Sequence, residues 1–330
     1  MIRSSIKEYF NPKNYIRKCA ELSLYTISPA IKIWEERKTN RYALLPLSHQ
    51  PIFIIGAPRT GSTILYQTIT NKFDVLYVDN LICKFHNNLF FGFWLSNKIF
   101  KQRAHNCFNS QHGDTKDYGF HAPSECGGFW YRWLPRDRHF IDNDEISDQM
   151  VAEIRREITG VINYFQKPLV FNNNNAGMRI RLLKQCFPNA KYIVADRSPL
   201  YVAQSLLRVR KSVNGSYEKW WSIMPKNYQD LRKKDCFEQV VLQHYYINKQ
   251  IFCDLESISY KNHMTVTYNN FSLNKNDVMD KFSEYINYQA VREYYEENEV
   301  VESRENSLDE DSIEYVNKII GSLDWNDYKS

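Results

Sequence analysis

The chain has 330 residues, 43% of them hydrophobic and 25% charged, which supplies a sizeable core and excludes a disordered chain. The formal net charge is +5, but residues 291–330 hold twelve acidic and four basic groups, so the body is basic and suited to anionic ligands. It lacks a long basic run, a zinc knuckle or a recognisable nucleic-acid motif, so no nucleic-acid partner is expected.

Residues 1–45 read as a mildly basic helical extension, with nine Lys/Arg against four Glu and apolar groups such as Tyr15, Leu22, Leu24, Ile31 and Trp34. It is expected to pack on the domain, with peripheral membrane contact as the alternative. No stretch reaches the ~18–20 uninterrupted apolar residues that span a bilayer. The start of the chain has no signal-peptide core. A single cytoplasmic domain is therefore expected. The seven cysteines are scattered and the eight histidines form no ligand pattern. Both fit free thiols and no bound metal.

Ile52–Ile55 reads as a buried strand ending at Gly56. A loop with Gly61 follows, and a helical run opens at Ser62. Strand, glycine loop and helix start form a cradle of backbone N–H groups at the positive end of a helix dipole, which binds phosphate-like anions. Gly56-x4-Gly61 followed by Ser62-Thr63 matches the ATP-binding P-loop except that Ser62 stands where its lysine would be. That loss argues against ATP. Arg59 supplies a different positive charge.

Phe73–Val78 is a second strand candidate. Residues 81–140 are aromatic and broken by glycine and proline, and read as an insertion over the active site. Ile146–Phe165 is helical, with Glu153 and Glu157 on its solvated side. Lys167–Phe171 is a strand followed by four asparagines, Asn172–Asn175, and Ile180–Leu183 is helical. Lys191–Ala195 is a strand. Arg197 follows it, and Ser198-Pro199 start the helical run Leu200–Val209. Arg197 and Ser205 are eight positions apart. A guanidinium and a hydroxyl so placed suit a phosphate. Arg208, Arg210 and Lys211 either add to that pocket, bind an anionic acceptor or are solvated. Residues 212–235 read as irregular and substrate-facing, Phe237–Leu255 as a helix and Met264–Tyr268 as a strand. The acidic end is partly helical, with Val300, Ile313, Val316, Ile319 and Ile320 as anchors. Strands alternating with helices predict an α/β three-layer sandwich with a central, mostly parallel sheet.

Pro58-Arg-Thr-Gly-Ser-Thr63 resembles the 5′-phosphosulfate loop of sulfotransferases that use 3′-phosphoadenosine 5′-phosphosulfate (PAPS). Arg197 and Ser205 resemble that family's 3′-phosphate site. Phe187-Pro-Asn-Ala-Lys191, Trp220-Trp221 with Pro225, and Tyr268-Asn-Asn-Phe271 are similar to segments of its bacterial members. The likeness covers roughly residues 50 to 290. One departure stands out: many bacterial relatives carry a lysine just after the strand corresponding to Leu169–Phe171, and here the segment is Asn172–Asn175.

The resemblance implies a PAPS-dependent sulfotransferase that needs no metal. The N–H groups from Thr60 through Gly61 and Ser62 to Thr63 would bind the 5′-phosphate, helped by the Ser62 and Thr63 hydroxyls. Arg59 would stabilise the departing phosphate, and Arg304 would be a late cofactor contact. The family's base is a Glu or a His between the two cofactor loops. Pro123-Ser-Glu125 favours Glu125, with His121 as the alternative. The acceptor would present a hydroxyl or amine on a glycan, glycolipid or small metabolite, with a carbohydrate favoured. Two other classes stay open: a small-molecule P-loop kinase and a non-catalytic nucleotide-binding protein of the same fold.

Overall fold

β1 (Ile52–Gly56) lies at the centre of a five-stranded sheet, paired in parallel with β3 (Leu169–Asn172) on one side and β4 (Lys191–Asp196) on the other. β2 (Leu76–Tyr77) adds to β3 and β5 (His263–Thr267) to β4, both in parallel, giving the order β2-β3-β1-β4-β5. This computed structural model describes residues 31–292 and 308–326. The expected α/β fold is thus present, with all five strands parallel.

Every residue of β1 is buried, as a parallel strand covered on both faces requires. Its side chains alternate between two cores. Ile52 and Ile54 pack with α2 (Ser62–Lys72) and α10 (Lys275–Ile286), through Leu65, Ile69, Val278 and Phe282. Phe53 and Ile55 face α5 (Asp148–Phe165), α6 (Ile180–Cys186) and α8 (Cys236–Leu255), through Ile158, Leu182 and Ile251. Helices on both faces give the three layers. A third cluster joins α7 (Pro199–Asn214) and α8 to α11 (Glu310–Gly321), where Val316 is fully buried against Leu206 and Val240.

Several boundaries differ from the sequence expectation. The strand expected at Phe73–Val78 shrinks to Leu76–Tyr77. Asp74 and Phe73 pair with the chain at 290–291 instead. The expected insertion at 81–140 contains regular structure: α3 (Asn80–Lys84) and α4 (Leu89–Phe100). Their aromatic residues build core, with Phe90 and Phe93 buried. A helix over residues 31–43, α1, packs on them. Its Glu35 accepts from Phe90 N at 2.7 Å and Asn88 Nδ2 at 2.7 Å, satisfying the start of α4. Glu153 and Glu157 are partly exposed, as expected of a helix surface, and both are also held by partners. Trp133 Nε1 donates to Glu153 at 2.6 Å, and Arg132 clasps Glu157 with both terminal nitrogens. The periodicity of α5 could not show these partners, because they come from another segment.

Candidate active site

The carboxyl ends of β1, β3 and β4 meet where the strand order reverses about β1, the crevice in which open α/β sheets bind ligands. β1 delivers the glycine loop. Gly56 has φ 153° and Gly61 φ 89°. A Cβ at Gly56 would lie 2.4 Å from the Ala195 carbonyl oxygen, and one at Gly61 2.3 Å from the Tyr268 ring. Both positions therefore require glycine. Arg59 has φ 71°, a left-handed conformation that costs a non-glycine residue free energy and recurs at functional sites. Thr60 donates its hydroxyl to the Ala57 carbonyl at 2.8 Å, so that group shapes the loop. α2 starts at Ser62 with no acidic residue in its first turn, leaving the positive helix end uncompensated.

The second element is the turn from β4 into α7. Asp196 Oδ1 accepts from Arg197 N at 2.9 Å, fixing the turn. Pro199 opens the helix, and its first turn also lacks acidic residues. The Arg197 guanidinium stacks 4.2 Å from the ring centroid of Tyr268, the first residue of α9 (Tyr268–Leu273), a cation–π contact that holds it in place. Ser205 lies two turns into α7. Arg59 Nε donates to Ser205 Oγ at 2.9 Å across 146 residues of sequence. One hydrogen bond thus joins the glycine loop to α7. Burial lowers the Arg59 pKa, and the charges of Arg197 and Arg208 lower it further. Like charges gathered in a crevice form a field for an anion.

The third element comes from the segment between them. Asn174 Nδ2 donates to Glu125 Oε1 at 3.3 Å, and Asn173 Nδ2 donates to the Glu125 carbonyl at 3.1 Å. Ser62 Oγ donates to Asn174 Oδ1 at 3.1 Å. The asparagine tract therefore ties the start of α2 to Glu125. A Cβ placed on Gly113 would lie 3.3 Å from Thr63 Oγ1 and 3.9 Å from Glu125 Oε1, so the anion loop, Glu125 and the turn at 112–113 share one spot. Burial pushes the Glu125 carboxyl up to about 7, with Asp114 adding to the shift and a hydrogen bond at Asn174 opposing it. Glu125 and Asn174 line a cavity of about 840 Å³, walled by Phe85, Phe120 and Trp221 with Lys84.

The structure brings Arg59, Thr60, Gly61, Ser62, Thr63, Arg197, Ser205 and Glu125 together around this crevice. His121 lies apart, lining smaller cavities. Its Nε2 is 2.8 Å from Tyr77 Oη, its ring stacks on Phe100 at 4.1 Å, and burial drives its pKa down to about 4. Arg210 is fully buried and donates to Gln239 at 2.8 Å, so it neither joins the pocket nor meets solvent. Trp220 packs against Tyr228 and donates to the Ile223 carbonyl, whereas Trp221 faces the cavity. Arg304 and Val300 lie outside the described residues. The links made by Asn173 and Asn174 carry no sequence signal, since an asparagine run reads as loop. Tyr268 carried only its family likeness.

No helix among the described residues is long and apolar enough to cross a membrane. None of their His, Cys, Asp and Glu side chains form a group of three or more able to hold a metal ion.

Fold and site together define an α/β protein with a P-loop-like anion loop at the topological switch point of a parallel sheet. The chain belongs to the sulfotransferase family, whose model matches residues 51–292. It is 22% identical over 214 residues to the omega-hydroxy-beta-dihydromenaquinone-9 sulfotransferase Stf3 of Mycobacterium bovis, and equally to that of Mycobacterium tuberculosis. Each match covers 58% of this chain and 54% of the relative, so the chain spans about half the length of the curated relatives it matches. Similar solved structures include sulfotransferase STF9 from Mycobacterium avium, with 13% identity, 88% of this chain and 72% of that one covered, and a TM-score of 0.49. Sulfotransferase STF1 from Mycobacterium tuberculosis has 11% identity, coverage of 83% and 77%, and a TM-score of 0.48.

Proposed function

We propose that this protein transfers the sulfonate of PAPS to a hydroxyl of an acceptor bound in the 840 Å³ cavity. The observation that carries the proposal is the Arg59–Ser205 hydrogen bond. It joins a loop suited to a 5′-phosphosulfate to an Arg–Ser pair suited to a 3′-phosphate, and a donor with phosphates at both positions engages both. Loop N–H groups from Thr60 to Thr63 bind the 5′-phosphosulfate, with Arg59 neutralising charge on the leaving phosphate. Arg197 and Ser205 hold the 3′-phosphate. Glu125 accepts the acceptor's proton as its oxygen attacks sulfur in line. A carboxyl titrating near 7 is suited to that role at neutral pH. Its place beside Thr63 and on the cavity wall supports it over His121, which is stacked on Phe100 and held by Tyr77. Positioning and electrostatics supply the catalysis, as in phosphoryl transfer, without a metal.

The acceptor side favours a carbohydrate-bearing molecule. Phe85, Phe120 and Trp221 offer faces for sugar rings, and the exposed Asn87 offers an amide for hydroxyls. The curated relatives are named for a hydroxylated dihydromenaquinone, and that too presents a hydroxyl.

Calorimetric titration with adenosine 3′,5′-bisphosphate and with ATP, on wild type and Arg197→Ala, tests the donor. Tight bisphosphate binding that Arg197→Ala weakens, beside weak ATP binding, is expected. Preference for ATP would put a kinase in its place. Binding of the bisphosphate without sulfonate transfer to any tested glycan, lipid or small alcohol would point to a non-catalytic nucleotide-binding protein.

A further inference from the structure

Asn172 closes β3, paired with Ile54 of β1. Its side chain is 2% exposed, and neither its amide nitrogen nor its amide oxygen has a hydrogen-bond partner among the described residues. A buried carboxamide without partners costs folding free energy and calls for a reason. Its neighbours all have partners: Asn173 and Asn174 bond Glu125, and Asn175 donates to Tyr131 Oη at 2.9 Å.

Strand alternation locates the side chain. Leu169 and Phe171 belong to the core beneath α5 and α6, and Val170 belongs to the core beneath α2. Asn172 shares the face of Val170 and hence of α2. It also stands at the strand's carboxyl end, two residues before Asn174, to which Ser62 in the first turn of α2 donates. That turn is the uncompensated positive end of an 11-residue helix. Two independent features thus converge: a helix start that attracts an anion and a buried amide lacking an acceptor.

We propose that the Asn172 carboxamide donates a hydrogen bond to the anion held in the 57–63 loop, closing the cradle from the sheet side. This rests on the anion-loop assignment under Proposed function. The amide takes no part in bond making. It supplies one neutral donor at a position where a carboxylate would repel the ligand.

The test pairs calorimetric titration with melting of the ligand-free protein, for wild type, Asn172→Leu and Asn172→Asp. Leucine matches the side chain's shape and removes its polarity. The expected result is about ten- to hundredfold weaker bisphosphate binding by Asn172→Leu, the loss of one hydrogen bond to a charged group. Its ligand-free melting temperature should equal or exceed that of wild type, because an orphaned polar group is gone. Asn172→Asp should bind more weakly still. Binding within twofold of wild type by Asn172→Leu would make the orphan a packing cost only and overturn the proposal. Weaker binding with a lowered melting temperature would assign the residue to the fold and overturn it equally. If wild type does not bind the bisphosphate, the PAPS assignment fails. The same variants titrated with inorganic pyrophosphate then decide the amide's role, and absence of pyrophosphate binding by wild type sinks both.

Discussion

Glu125 sits between two asparagines, its carboxylate bonded by Asn174 and its carbonyl by Asn173. Burial holds its carboxyl near 7, so its conjugate base forms only as pH rises through that value. Turnover should climb roughly tenfold per pH unit below about 7 and level off above it, as expected for a single essential base. Glu125→Gln should lower kcat by about 10²–10⁴-fold while leaving bisphosphate affinity within a few-fold. Initial rates across pH together with calorimetry check both. A Gln variant retaining full activity would transfer the base role elsewhere. Gly61 makes the other sharp residue-scale case. Gly61→Ala sets a methyl against the Tyr268 ring at a φ of 89°, and strain of about 1–3 kcal/mol follows. Equilibrium denaturation should show that loss, and nucleotide binding should fall with it as the cradle shifts.

At the scale of elements, α1 and α4 depend on one carboxyl. Glu35 is 8% exposed and accepts from Phe90 N and Asn88 Nδ2 at the amino end of α4. Glu35→Ala strands those donors and should cost about 1–3 kcal/mol, measurable by urea unfolding. Burial raises the Glu35 pKa from 4.5 to about 7, against the two hydrogen bonds. In that window the folded state keeps a proton that the unfolded chain has released. This carboxyl's contribution to stability therefore falls as pH rises from about 4.5 to about 7 and is level above. Glu35→Gln should remove that slope from the stability profile. Residues 89–100 read as part of an irregular insertion over the active site because their buried partner Glu35 lies more than fifty positions upstream.

For the whole molecule, the acidic helix α11 bears on the site through α7. α11 plants Val316 between α7 and α8, and α7 carries Ser205. Val316→Asp buries an unpaired charge in that cluster, a change among those that destabilise most. The melting temperature should drop, and bisphosphate affinity should weaken more than ATP or acceptor binding does, since the Ser205 register moves. A variant that melts earlier with unchanged bisphosphate affinity would show that α7 is anchored without α11.

The local sequence determined the strand–glycine–helix cradle, the strand ahead of Arg197 and the parallel α/β class. Each is a short-range pattern: a buried apolar run, a glycine where only glycine fits, a proline at a helix start. Folding decided which of these residues meet. Arg59 and Ser205 are 146 positions apart, and only the β1–β4 pairing places them within one hydrogen bond. In sequence, Glu125 is favoured over His121 only by the likeness of Pro123-Ser-Glu125 to a family segment. Tertiary packing separates them, setting one at the cavity beside Asn174 and Thr63 and stacking the other on Phe100. The asparagine tract was unreadable for the same reason. A carboxamide has no preferred partner until the fold presents one, or, at Asn172, leaves the place open for a ligand.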